Sequence, residues 1–230
     1  MEPWSVGLIV VLVVGVAVIL YGALSDRANT KRAAEEILAP PKRDIPRFHP
    51  DSPAPSYLSE LQARRPPDDA RPVDLSAAER DQLARQLKEP ETLRIGAGFL
   101  SRDFVTDQGS SQAVVDDPRV LVCAERIEST RELLGLLEKL VLSRTPLVVV
   151  APAMSDEVRS TLEVNQIQGR MRLLAVTPGE ADLRRVIAAT GAEPRTREDL
   201  QAGYIWPEHL GRCARWVSTA KASFVVGSSR

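Results

Sequence analysis

Aromatic residues make up 4% of this 230-residue chain, which has 2 cysteines, 2 histidines and a formal net charge of −1. Each scarcity excludes something. Two cysteines cannot build a disulfide-dense scaffold. Near-neutrality provides no phosphate-neutralising surface, so no nucleic-acid partner is expected. No P-loop, GxSxG elbow, HExxH or CxxC occurs, so the usual phosphate cradle, nucleophile and metal-ligand patterns are missing. Gly96-Ala97-Gly98 is a bare GxG and reads as a tight turn. Asp116-Asp117, before Pro118, reads as a solvated turn. No catalytic constellation, cofactor or metal site is expected, and the chain reads as a non-enzyme. A hydrophobic share of 43% excludes a disordered chain.

That hydrophobicity is unevenly spread. Trp4–Leu24 carries no charge. As a helix rising about 1.5 Å per residue it would span roughly 31 Å, close to bilayer thickness. Valine would favour strand in water, but in lipid the backbone must satisfy itself, which favours helix. The N-terminal Met-Glu-Pro lacks the basic start of a signal peptide, so residues 1–25 read as a retained single-pass anchor. Arg27, Lys31 and Arg32 follow the run and Glu2 precedes it. The positive-inside rule then places the rest of the chain in the cytoplasm, at the cell membrane.

Residues 26–75 contain nine of the 17 prolines and read as a juxtamembrane linker. Its first part, residues 26–38, is proline-free and suits a continuation of the membrane helix. A proline-rich ligand for an SH3-like partner is the alternative. His49 stands here without a metal set.

Residues 76–230 read as an α/β domain. Ser76…Glu79 has capping-box spacing and opens a helix to about residue 88. Apolar runs at 120–124, 146–151 and 171–176 read as buried strands. Helices are expected over 129–143, 155–168 and 180–190, with Gly191 closing the last. A hairpin is expected from 215–217 and 222–226. The alternation argues a substantially parallel sheet. Cys123 reads as a small core residue. One helix carries excess leucine: Leu133, Leu136 and Leu140 form a stripe, and Leu134, Leu137 and Val141 an adjoining one. Together they cover about 160°, where one sheet face needs about 100°. Either another helix covers the second stripe or it stays open as a groove edge.

The order of segments resembles the apical domain of the group I chaperonins, the GroEL family. The matching stretches lie within residues 94–227. They are Gly98-Phe-Leu-Ser-Arg-Asp-Phe-Val105, the helix with Arg131-Glu-Leu-Leu134, Pro146-Leu-Val-Val-Val-Ala151, and Thr161-Leu-Glu-Val-Asn-Gln-Ile-Gln-Gly169. Leu210-Gly-Arg-Cys-Ala-Arg-Trp-Val217 follows, with Lys221 and Gly227 after it. The resemblance implies an apical (swivelling-type) α/β domain, preceded here by the transmembrane helix and linker. It implies an apolar groove for polypeptide between two helices, lined at Phe99, Phe104, Leu134, Leu137 and Val164.

This chain departs from the family at Asp103, Arg159 and Glu163, where apolar groove residues are implied. These three are candidate specificity charges. The loop before the helix at 180–190 is shorter than the family's. No counterpart of the ATP-binding equatorial domain is recognisable, so ATP is not expected as a ligand. The expectation is a membrane-anchored, ATP-independent polypeptide-binding module, chaperone-like in action. The alternatives are a membrane scaffold for one specific folded protein, or a relic of the fold turned to small molecules.

Overall fold

The computed structural model describes residues 3–38, 59–67, 74–203 and 205–228. The chain divides into two units, Met1–Ser56 and Tyr57–Arg230. Most of the proline-rich segment, with His49 and the SH3-ligand reading, lies outside the described residues.

The first unit contains α1 (Pro3–Leu38). It runs on through the charged stretch 26–38 and ends two residues before Pro40, where proline would remove a donor and clash with the preceding turn. Its described apolar side chains, Leu12 and Ile19 among them, are exposed. Among the described residues, no helix is long and apolar enough to cross a membrane.

The second unit begins with a single turn, α2 (Glu60–Ala63), then α3 (Ala77–Gln86). Its strands are β1 (Leu93–Ile95), β2 (Ala113–Asp116), β3 (Arg119–Val122), β4 (Leu147–Val150), β5 (Leu173–Val176), β6 (Gly211–Ser218) and β7 (Ser223–Ser228). The remaining helices are α4 (Arg131–Ser143), α5 (Asp156–Ile167), α6 (Glu180–Thr190) and α7 (Arg197–Gln201). The sheet order is β1-β7-β6-β3-β4-β5, with β2 also paired to β6.

The expected parallel sheet is corrected by this topology. Only β3, β4 and β5 run parallel; β1, β2, β6 and β7 join antiparallel. The parallel strands follow from their composition. All four residues of β4 and of β5 are buried, as expected of strands covered on both faces. The hairpin is longer than its apolar centre suggested. Trp216, fully buried, sits in β6, and its indole N–H donates to Ser218 Oγ at 3.0 Å.

The Ser76 capping box forms as its spacing predicts. Gly191 closes α6 at φ 67°, a left-handed position that glycine takes without steric cost. Gly98 serves a different purpose from the expected turn. A Cβ there would lie 2.2 Å from the Thr219 carbonyl oxygen, so glycine allows close approach to the β6–β7 turn. Cys123 and Cys213 are buried, and burial pushes both thiols up to about 12.

A buried carboxylate ties α3 to the sheet. Arg80 forks onto Asp107, with Nη2 to Oδ1 at 2.7 Å and Nε to Oδ2 at 3.0 Å. Ser110 Oγ and the Leu75 N–H also donate to it. The Arg80 guanidinium holds the Asp107 carboxyl well below the usual carboxylate range, against the opposing effect of burial. Leu83, Val114 and Val217 form a small apolar cluster that packs α3 against β2 and β6. We expect Asp107→Ala to cost roughly 1–3 kcal/mol in urea denaturation, because it removes the buried acceptor of four hydrogen bonds, while Arg80, about a third exposed, regains water. Wild-type stability from this site is whole above about pH 4, the unfolded value, and fades as pH falls through the depressed folded value. The variant should lack that part of the acid dependence.

Candidate functional site

Two crossover helices and one 3-10 turn build the candidate site. β3–α4–β4 and β4–α5–β5 are parallel crossovers, so α4 and α5 both start beyond the C-terminal ends of their strands. Their first turns are tied together. The Thr130 N–H donates to Glu157 Oε1 at 3.2 Å, and the Thr130 and Thr161 hydroxyls lie 3.1 Å apart. Leu134 and Val164 each lie about one turn beyond that tie.

The 3-10 turn Arg102–Phe104 packs against α5 and β5. Ser101 caps it, accepting from the Asp103 N–H at 3.2 Å. The chain before it is pinned on two sides. Phe99 N–H donates to the Thr219 carbonyl at 3.0 Å, and Leu100 N–H to the Ala175 carbonyl at 2.9 Å. The turn therefore sends Phe104 into the core and leaves Asp103 exposed.

The apolar groove set separates on burial. Leu134 is 48% exposed. Phe99 and Val164 are half-buried. Phe104, at 0% exposure, and Leu137, at 7%, belong to the main core. Neither of these two expected lining residues offers surface to a ligand in this structure. Their burial also resolves the leucine excess. Leu137 turns inward with the first stripe, Val141 packs partly against the core, and α7 packs on α4. Leu134 is what the second stripe leaves open.

The three departing charges come together. Glu163 is buried at 5% exposure, with Arg159 Nε 3.6 Å away and Arg159 also paired to Asp156. What brings Asp103 into the group is a residue from the segment expected to be linker. Arg64 Nη1 lies 3.2 Å from Glu163 Oε2 and 3.9 Å from Asp103, and its Nη2 donates to Ser160 Oγ at 2.8 Å. Gln168 completes the contact. Its Nε2 faces the carbonyls of Ala63 at 2.8 Å, Arg65 at 2.9 Å and Gln62 at 3.3 Å.

Arg64, Ser160 and Gln168 were not among the residues singled out from sequence. A signal for the docked segment exists. Ser59…Gln62 has capping-box spacing, and the reciprocal bonds form: Ser59 N–H to Gln62 Oε1 at 2.9 Å, and Gln62 N–H to Ser59 Oγ at 3.4 Å. Among the described residues, no group of three His, Cys, Asp or Glu could hold a metal ion.

No family model matches the chain. It is 34% identical over 145 residues to Chaperonin GroEL 5 of Bradyrhizobium diazoefficiens, an alignment covering 60% of this chain. The domain is chaperonin-like. The chain spans about a quarter of that relative, 27% of its length. Among solved structures, the open state monomer of a group II chaperonin from Methanococcoides burtonii matches over 60% of this chain and 31% of its own. The TM-score is 0.44 and the identity 17%.

Burial separates the core positions of the chaperonin-like domain from its surface ones. Phe104→Ala should cost about 3–5 kcal/mol in chemical denaturation, a large-to-small change in a packed core. Leu134→Ala should stay within about 0.5 kcal/mol of wild type. Equal losses at the two positions would refute the division.

Proposed function

We propose that this chain is a membrane-anchored, ATP-independent polypeptide-binding module, selective in what it holds. One observation carries the reading. The surface formed by α5 and the 3-10 turn already holds a stretch of polypeptide, residues 59–67, by two complementary means. Gln168 reads main-chain carbonyls, which any sequence offers, and Glu163 reads a guanidinium. Leu134, exposed at the neighbouring helix, offers apolar surface beside it. No catalytic step, nucleotide or metal is part of the reading.

The anchor rests on the uncharged run Trp4–Leu24 and the basic residues after it, which support a cytoplasmic domain. A general chaperone-like grip on non-native clients is a second reading. It is favoured by the exposure of Leu134 and the half-exposure of Phe99 and Val164. Recruitment of one folded partner is the selective extreme, favoured by the charges.

Full-length chain in detergent should bind polypeptide, with Leu134→Glu weakening it about five- to tenfold, since it places a charge where an apolar contact forms. Unchanged affinity would remove Leu134 from the site. Selective binding through charges should weaken as salt rises from about 0.05 to 0.5 M, whereas apolar binding should hold or strengthen. In cells the chain should stay with membranes through alkaline carbonate extraction. A version lacking residues 4–24 should be released, and release of the intact chain would refute the anchor.

A further inference from the structure

Residues 59–67 form a strap whose construction is polar. Ser59 and Gln62 close one helical turn, and Pro66-Pro67 prevents its continuation. Leu61, the largest apolar side chain of that turn, is 87% exposed, so apolar burial is not what seats it. It is seated by Arg64 on Glu163, Asp103 and Ser160, and by Gln168 on the backbone.

The two sides of this contact differ in what they lose on separation. Arg64 and Asp103 side chains are 41% and 42% exposed, so water replaces their pairing at little cost. Glu163 is another matter, with its side chain 7% exposed and its remaining partner, Arg159, at 3.6 Å. The strap itself contributes to that cover, and losing Arg64 removes the shorter of the two ion pairs to this carboxylate. The carboxylate stays on the domain when the strap leaves, with Arg159 still beside it and the Arg64 position open to another guanidinium.

We propose that residues 59–67 are a built-in occupant of this surface, and that an arginine-bearing polypeptide binds the domain by displacing them. The displacement rests on the polypeptide-binding reading above; the occupancy rests on the contacts alone. Six residues, 68–73, separate the strap from the next described part of the domain. Being joined to the domain through so few residues of the same chain, the strap competes at an effective concentration of about the millimolar range. A free peptide with the strap's own contacts must then compete poorly, and a true partner must bind better than the strap does.

The test uses the full-length protein in detergent and a fluorescent synthetic peptide with the sequence of residues 57–67. Arg64→Glu in the chain sets a carboxylate against Glu163 and Asp103 and should eject the strap. That variant should bind the peptide at least about tenfold more tightly than wild type. The peptide carrying the same Arg64→Glu change should bind neither chain. Equal binding of the normal peptide to both chains, or to neither, overturns the proposal. A second measurement empties the contact from the other side. In Glu163→Gln, hydrogen exchange at the Ala63 and Arg65 amides should accelerate, and unchanged exchange also overturns it. A reduced, unfolded client added in parallel separates the two ideas. If Arg64→Glu gains the strap peptide but neither chain binds client, the strap stands and general polypeptide binding falls. If client binds both chains equally and the peptide does not discriminate, the strap falls and polypeptide binding stands.

Discussion

Both edges of β6 are filled, and the rest of the sheet depends on how. One edge pairs with β7. The other is shared: Arg215–Ser218 pair with β2, and Gly211–Arg212 pair with the start of β3. The chain passes from one partner position to the next at Asp117, whose φ of 45° is left-handed and whose N–H donates to the Ala214 carbonyl at 2.9 Å. Aspartate tolerates that region better than most residues, and Pro118 fixes the exit. This jog lets β3 border β6 antiparallel while its far edge stays open for β4. From there the sheet is parallel, and parallel neighbours need long crossovers. The helices α4 and α5 are those crossovers.

The site follows from that switch. Because two successive crossovers leave adjacent parallel strands, their helices begin side by side, and Thr130 can reach both Glu157 and Thr161. The 3-10 turn comes to α5 by a separate route. Leu100 bonds to β5, and Gly98 lets the preceding backbone press against the β6–β7 turn. A helix bordered by a second helix start and by a turn presents a ready-made shelf. Glu163 and Gln168 hold residues 59–67 on it.

Much of this was legible in the chain. The strands 147–150 and 173–176, the capped starts at Ser76 and Ser155 and the stop at Gly191 follow from local chemistry. The order of apolar stretches carried the chaperonin likeness. Antiparallel β2 was not legible, because Ala113–Asp116 is short and its pairing with residues a hundred positions away is set by register, not composition. The short α7 was hidden similarly, although Thr196…Asp199 forms a capping box. Periodicity could not separate Leu134 from Leu137: both sit on the second stripe, and only the packing of neighbours decides which is covered. The strap was missed because proline-rich composition reads as tether, and the capping pair inside it spans only four residues. The charges at Asp103, Arg159 and Glu163 were visible, but their partner lies in a different part of the sequence.

The balance of burial and charge supports the proposal that this surface is selective. Full burial of a large apolar side chain is worth about 1.5–3 kcal/mol. Leu134 is about half exposed and Phe99 and Val164 less so, while Phe104 and Leu137 have almost no surface left to bury. Three partly covered side chains therefore offer roughly 2–4 kcal/mol. Association costs at least about 4 kcal/mol in lost freedom before any side chain is ordered. Apolar contact at one domain cannot hold a client alone. Under the proposal above the difference comes from Glu163, a carboxylate that Arg64 and Arg159 pair in this structure and that a displacing chain would pair in place of Arg64. A ligand without a guanidinium leaves that carboxylate as it was; a ligand with one replaces Arg64. Selection by arginine, as proposed, would follow from where the apolar surface runs out.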